Sequence, residues 1–293
     1  MKFHNYRLLR STAGRKMPAN DFYQHVRLTS GSVEAVTQAL VEQAWEEARR
    51  PYYQVWPVVL KMLLKLPLDL SSRHLRLPLP VLELRLPEGN PLAFEHQGER
   101  FEAWSVLVTD LTRIPTREFA FTNAAYQVYI DYGESVEMPG VVLPLMSIQT
   151  FHPDERPLAE VLADLQGSVK DSARVGVPVP SLFVQQVLQL VCCVGLLGEG
   201  SDLLEPDVLA ADRPKYAATG DPKYVDRAHR KGKIGWNLGR EIEKAPHYRR
   251  PHPALVWTGP GRQVPRIVLR RGSVVHRDVL KRLPHGFEDN PAQ

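Results

Sequence analysis

The sequence predicts an α+β fold, in which a mainly antiparallel sheet is flanked by helices and followed by a basic, β-rich C-terminal module. Helix-like segments, in which apolar residues recur every three to four positions, precede and follow a run of short strand-like segments in the sequence. Basic residues are concentrated towards the C-terminal end. The 293 residues, 43% of them hydrophobic, are enough to bury a core.

The N-terminal part is predicted to be helical. Ser32 is a suitable N-cap for a helix over residues 33–45, whose apolar residues recur on one face. Pro51 suits a first helical turn, and the apolar positions from Tyr52 to Leu64 have helical spacing before Pro67. We expect these two helices to pack as a hairpin.

Residues 74–150 change to short apolar runs separated by Pro, Gly and Asn, which indicates strands. Apolar and polar residues alternate from Tyr126 to Tyr132, so one face of that strand is expected to be buried and the other exposed. Tyr129 and Asp131 are on the second face and are the candidates for peptide binding. An ordinary sheet surface is the alternative. The predicted strands are HLRLPL, VLELRLP, FEAWSVLVTDL, EFAFTN, YQVYIDY and VVLPLMSIQT.

Two further helices are predicted after the sheet. One begins at Pro157, and the other runs from Ser181 to Gly198 or Gly200 and is apolar on nearly every side, which places it at the centre of the body. Cys192 and Cys193 are adjacent within it, so we expect buried thiols in a reducing compartment and no disulfide.

The charge distribution suggests three regions. We place a helical hairpin and an α+β body at 1–204, a polar connector at 205–233 and a basic module at 234–293, beginning with a helix over Ile234–Lys244. From Arg213 onwards there are 18 Lys and Arg against 7 Asp and Glu, a formal charge of +11. The preceding 212 residues carry 19 against 26, a charge of −7. The excess of positive charge from Arg213 onwards favours a polyanionic partner, and a solvated basic surface is the alternative.

The sequence also bears on location. The N-terminal residues MKFHNYRLLRSTAGRK are basic but lack an apolar signal-peptide region, and residues 181–197 are short for a membrane span and contain three glutamines. We therefore expect a cytoplasmic protein without a membrane partner, and its oligomeric state is not indicated.

The segment Pro246–Arg277 combines the residue types that bind RNA. Guanidinium groups bind phosphate bidentately, and Tyr and Trp rings stack on unpaired bases. The turn TGPGR adds backbone N–H groups that an anion can approach. The candidate nucleic-acid-binding residues are Tyr248, Arg249, Arg250, Trp257, Arg262, Arg266, Arg270, Arg271 and Arg277.

Other interpretations of this segment remain open. His247 and His252 could act as acid and base in RNA cleavage, or bind a metal together with His276, although the paired Cys and His spacing of zinc sites is absent. Arginines such as Arg266 could instead pair with the acidic body, making the module a docked lid. Phosphate-loop, serine-hydrolase and zinc-protease motifs are missing, so we expect no cofactor, no metal and no enzyme of those classes.

Several of these motifs resemble the anti-CRISPR proteins that block biogenesis of the type V-A effector nuclease, and their mobile-element relatives. The similar segments, in order, are QVYIDY, residues 157–162, SLFVQQVLQLVCCVGL, Arg213-Pro214, IGWNLGREI and PHYRRPH…WTGPGR, and they span roughly the last 170 residues. Gly-His-Trp in the family corresponds to Pro251-His252-Pro253 here.

The resemblance implies a regulatory protein of a phage or mobile element that recognises the N-terminal peptide of a nascent nuclease and promotes loss of its mRNA. We therefore expect a non-enzymatic protein with RNA and a nascent or acidic polypeptide as partners. RNA cleavage by His247 and His252 is the first alternative, and a protein-binding scaffold without a nucleic-acid partner is the second.

Overall fold

The computed structural model describes residues 19–29, 33–96, 98–114, 126–131, 148–150, 155–169, 179–198, 204–231, 235–238, 247–249, 252–271 and 273–275. Its helices are α1 (Ala19–Thr29), α2 (Val33–Glu47), α3 (Pro57–Leu63), α4 (Leu158–Val169), α5 (Ser181–Leu197), α6 (Arg213–Thr219) and α7 (Lys223–Arg230). Its strands are β1 (Tyr52–Val55), β2 (Val81–Arg85), β3 (Ala93–His96), β4 (Glu99–Glu102), β5 (Ser105–Asp110), β6 (Tyr126–Asp131), β7 (Ile148–Thr150), β8 (Leu204–Pro206), β9 (Trp236–Leu238), β10 (His247–Arg249), β11 (His252–Thr258), β12 (Val264–Arg270) and β13 (Ser273–Val275).

A seven-stranded sheet forms the centre of the molecule, in the order β7-β6-β5-β2-β1-β9-β8. Its strands pair antiparallel, except that β1 runs parallel to both β2 and β9. The predicted α+β class with a mainly antiparallel sheet and flanking helices is therefore confirmed.

One face of this sheet carries the main hydrophobic core. Alternate strand residues such as Tyr53, Leu84 and Val106 pack there with residues of α3, α4 and α5. Helix α5 is almost completely buried, which agrees with its apolar sequence. Burial raises the pKa of the Cys192 thiol to about 12 and also raises the pKa of Cys193, so both thiols stay protonated at neutral pH.

Helix α2 covers part of the opposite face. Its Val41 and Trp45 pack against Val81, Leu107 and Tyr129 of three neighbouring strands. Helix α1 in turn packs against α2 in a separate apolar cluster. The central strands are therefore buried on both faces, which single-strand alternation does not predict.

The predicted helix over Tyr52–Leu64 is wrong in its first half. Tyr53 and Val55 point into the core from strand β1, and the helix begins only at Pro57, whose missing N–H needs no partner in a first turn. The predicted hairpin of two helices is therefore also wrong, because α2 pairs with α1 and leads into the sheet.

The predicted helix over Ile234–Lys244 is wrong at residues 236–238. These residues form β9, which lies between β1 and β8, with Leu238 buried in the main core. Gly235 precedes it so close to Tyr52 that a Cβ atom there would lie 2.7 Å from the Tyr52 Cζ. Glycine is required because the chain must pass directly over this ring.

The polar segment at 205–233 contains two short helices, α6 and α7, besides part of β8. The predicted strand HLRLPL is wrong, since residues 72–74 form a 3₁₀ turn and residues 75–77 are irregular. The segment EFAFTN and residues 141–147 lie outside the described residues. The three-region division stays a prediction, although strands from either side of residue 233 share the central sheet.

Candidate nucleic-acid interface

Strands β11 and β12 form an antiparallel ribbon that contains most of the described candidate residues. The pairs run from His252 with Arg270 to Thr258 with Val264, next to the turn. Strands β10 and β13 pair in the same register further from the turn, with Arg249 opposite Ser273. We call the β11–β12 hairpin, residues 252–270, the basic ribbon.

Two prolines reveal the hydrogen-bonding pattern of the basic ribbon. Pro253 lies opposite Leu269, and Pro265 lies opposite Trp257. Because proline has no N–H, these two pairs are non-hydrogen-bonded pairs of the ladder, in which the backbone nitrogens point away from the partner strand. The same prolines remove N–H groups from both outer edges, which disfavours addition of a third strand.

The turn of the basic ribbon requires left-handed backbone conformations. Gly259 and Gly261 have φ values of 75° and 67°, which glycine adopts without a steric penalty. Arg262 follows with φ of 52°, and its N–H donates to the Gly259 carbonyl oxygen at 3.0 Å. All five residues from Gly259 to Gln263 are exposed, so the turn projects into solvent.

The middle of the basic ribbon is anchored on the body. Ile267 is only 5% exposed and belongs to the main core cluster, and Leu255 opposite it packs against the same cluster. Strand β11 contacts α5. This contact fixes the ribbon to the most deeply buried helix and leaves its turn free.

The arginines of the basic ribbon are exposed, and no carboxylate in the described part of the chain pairs with them. Arg262, Arg266, Arg270 and the adjacent Arg271 are all exposed, and none forms a salt bridge with a carboxylate of the described residues. The docked-lid alternative therefore gains no support from these side chains. By contrast, cations of the body such as Arg85 and Arg73 pair with nearby glutamates.

The basic ribbon separates its cations from its aromatic ring. Arg266 and Arg270 lie opposite Val256 and His252, so all four share one face. Successive side chains of a strand point to opposite faces, so Trp257, which follows Val256, is on the other face, where it is 49% exposed. Leu269 is on the same face as Trp257 and is also 49% exposed.

The two candidate catalytic histidines differ in what the structure describes. His252 is 5% exposed at the base of the basic ribbon, where a substrate has little access. His247 begins β10, for which only the backbone is described. Acid–base catalysis would need both imidazoles at one accessible point, so the position of His252 does not favour it.

The remaining candidates are only partly placed. Tyr248 and Arg249 belong to β10, for which the backbone alone is described, while Arg250, His276 and Arg277 lie outside the described residues. Within the described ranges there is no group of three or more His, Cys, Asp or Glu residues that could hold a metal ion.

The predicted exposed face of β6 is wrong at Tyr129. This side chain is 2% exposed because α2 packs over it, and burial raises its pKa. Asp131 ends the same strand, and its side chain is not described. Peptide binding by these two residues stays a hypothesis, and the ring of Tyr129 is not on an open surface.

A charged cluster on the sheet was not anticipated from the sequence. The Glu83 side chain is 1% exposed, and its Oε2 accepts a hydrogen bond from Arg85 Nε at 2.9 Å. The Arg85 guanidinium lies 3.7 Å from the centre of the Tyr52 ring, and the Tyr52 hydroxyl donates to Asp207 at 3.1 Å. Burial, then the charge of Asp207, raises the pKa of Tyr52 to about 12. The only sequence signal was the alternation of Glu and Arg with leucines in VLELR.

Comparisons with known proteins show little similarity. No protein-family model matches the chain, and no curated protein matches it. One solved structure that aligns with it, the crystal structure of AcrVA2, gives a TM-score of 0.39 and 15% identity over 88% of this chain and 85% of that chain. A TM-score at this level does not establish a common fold. No helix of the described residues is both long and apolar enough to cross a membrane.

Proposed function

We propose that the protein is a non-enzymatic regulator of a phage or mobile element that binds RNA through the basic ribbon and a polypeptide at a separate surface. The motifs quoted above suggest this, since they resemble the anti-CRISPR inhibitors of type V-A nuclease biogenesis. The observation that carries the RNA part is the row of exposed arginines without carboxylate partners among the described residues. Unpaired guanidinium groups are available to phosphate, and their attraction for it falls with salt.

The RNA part predicts a loss of affinity when Arg266, Arg270 and Arg271 are replaced together by glutamine. We expect the dissociation constant for a labelled single-stranded RNA to rise at least about tenfold at low salt, because hydrogen bonds between charged groups are lost. The slope of log affinity against log salt should fall by about 2, since three phosphate contacts disappear. Fluorescence anisotropy across a salt series measures both quantities.

The matched control replaces Lys61, Lys65 and Lys215 by glutamine. These lysines are exposed and without a partner among the described residues, so this variant has the same change in net charge. At about 0.15 M salt, where surface charges are strongly screened, it should bind RNA within about twofold of the original protein, because the arginines of the basic ribbon are unchanged. Equal losses in both variants would contradict a site on the ribbon, and fragments of the RNA after incubation would favour cleavage by His247 and His252.

Polypeptide binding is the second part of the proposal, and it is favoured by exposed side chains that flank the buried anchor Ile267 on the face of the basic ribbon opposite Arg266. Trp257 and Leu269 expose apolar surface there, and Pro265 lies beside Trp257 on the opposite strand. Exposed tryptophans beside apolar residues are frequent anchors of protein interfaces. The resemblance supplies the test ligand, a peptide with the N-terminal sequence of a type V-A effector nuclease.

We expect Trp257→Ala to weaken binding of that peptide at least about tenfold, since a central tryptophan contributes roughly 2 kcal/mol or more. Isothermal titration calorimetry measures the change. Trp56→Ala is the matched control, because Trp56 is 48% exposed in the segment between β1 and α3. A peptide that binds both variants as well as the original protein would place the polypeptide site elsewhere.

A further inference from the structure

The two faces of the basic ribbon differ in what they offer to a nucleic acid. Arg266 and Arg270 are four residues apart on one strand, so their Cα atoms are about 13 Å apart along one face. Arginines at this separation can contact two phosphates of the same polynucleotide.

Within residues 252–270, the face that carries these arginines has no exposed aromatic ring. His252 is the only aromatic residue of this hairpin that the register places there, and it is 5% exposed. The other members of this face in the ribbon are aliphatic or threonine. The Thr258 hydroxyl donates to the Val264 carbonyl oxygen at 3.1 Å, so its proton is already used.

Trp257 does not provide an aromatic ring on the face that carries Arg266 and Arg270. Its ring extends from the opposite face, and the outer backbone edges lack N–H donors at Pro253 and Pro265. Recognition of unpaired bases requires stacking on aromatic rings or polar groups that meet the base edges. The arginine face offers guanidinium groups, and their bidentate geometry matches phosphate.

We infer that the basic ribbon binds the phosphodiester backbone and does not stack or select bases. This inference rests on the proposed RNA binding and specifies its ligand class as a single-stranded polynucleotide of any base composition. Affinity then depends on phosphate number and salt, and the nucleotide sequence has little influence.

The test compares three labelled ligands of equal length, oligo(U), oligo(A) and an abasic phosphodiester oligomer, at low salt. We expect their dissociation constants to agree within about threefold, because stacking of a base on an exposed ring would add about fivefold or more. Arg266→Gln with Arg270→Gln should weaken all three ligands at least about fivefold, since two phosphate contacts are lost. Trp257→Ala should change none of them by more than about twofold.

The outcomes separate this inference from the proposed function. Two results would show base stacking: loss of binding to the abasic oligomer alone, or a decrease above about fivefold in the affinity of Trp257→Ala for the RNAs alone. Either result would overturn the inference and leave the proposed RNA binding intact. Absence of binding to every ligand at low salt would overturn both. Circular dichroism and thermal unfolding of each variant confirm that the exposed substitutions leave the fold intact.

Discussion

Replacing Arg85 by methionine should destabilise the protein by about 3–5 kcal/mol, because it leaves the buried Glu83 carboxylate without its cation. The Glu83 side chain is 1% exposed and that of Arg85 18%, so water replaces the lost interaction poorly. The guanidinium also stacks on Tyr52, and this contact disappears as well. Urea unfolding followed by circular dichroism measures the free energy of unfolding.

The double variant Glu83→Leu with Arg85→Met is the informative control for this prediction. Removing both charges eliminates the buried carboxylate that the single variant deprives of Arg85, so the double variant should be more stable than Arg85→Met alone. The single variant Glu83→Leu completes the cycle. If the two single changes add without coupling, the ion pair contributes no specific stabilisation and the prediction is wrong. A loss below about 1 kcal/mol for Arg85→Met would contradict it directly.

Ile267→Ala should lower the free energy of unfolding by about 2–5 kcal/mol, since it removes buried methyl and methylene groups and leaves a cavity. Ile267 is 5% exposed where the basic ribbon joins the main core. We also expect weaker RNA binding by this variant, because the ribbon loses its attachment to the body while its arginines are unchanged. Urea unfolding and RNA titration are the two measurements.

Leu269→Ala is the matched control on the same strand and face. Leu269 is 49% exposed, so its truncation should change stability by about 0.5 kcal/mol or less. Similar losses for the two variants would mean that the ribbon is not anchored through Ile267.

The sequence predicted those helices whose apolar pattern had one interpretation. Helix α5 is apolar on nearly all sides, and α2 has a regular buried face, so both were found close to their bounds. Residues 52–64 were ambiguous because their apolar positions fit a helix as well as a strand followed by a helix. Pro57 marked the start of α3, and burial of Tyr53 and Val55 in the sheet determined the strand.

Long-range packing accounts for the other differences. Three residues, Trp236–Leu238, carry no strand signal of their own, and they become a strand because the edge of β1 is available for pairing. Tyr129 is on the strand face that the alternation of apolar and polar residues indicates, but helix α2, which covers this face, is distant in sequence. Composition located the arginines of the candidate interface, whereas the register was needed to show that Trp257 faces away from Arg266.

The place of β9 in the sheet has a consequence for biosynthesis. Tyr53 and its partner Trp236 are separated by more than half of the chain, so β1 is synthesised long before its second neighbour exists. Until residue 238 emerges from the ribosome, β1 has an open edge and β8 lacks the strand that joins it to the sheet. Because pairing across this sequence distance requires closing a long loop, we expect the step to be slow and the edge of β1 to be exposed to pairing with other chains during synthesis.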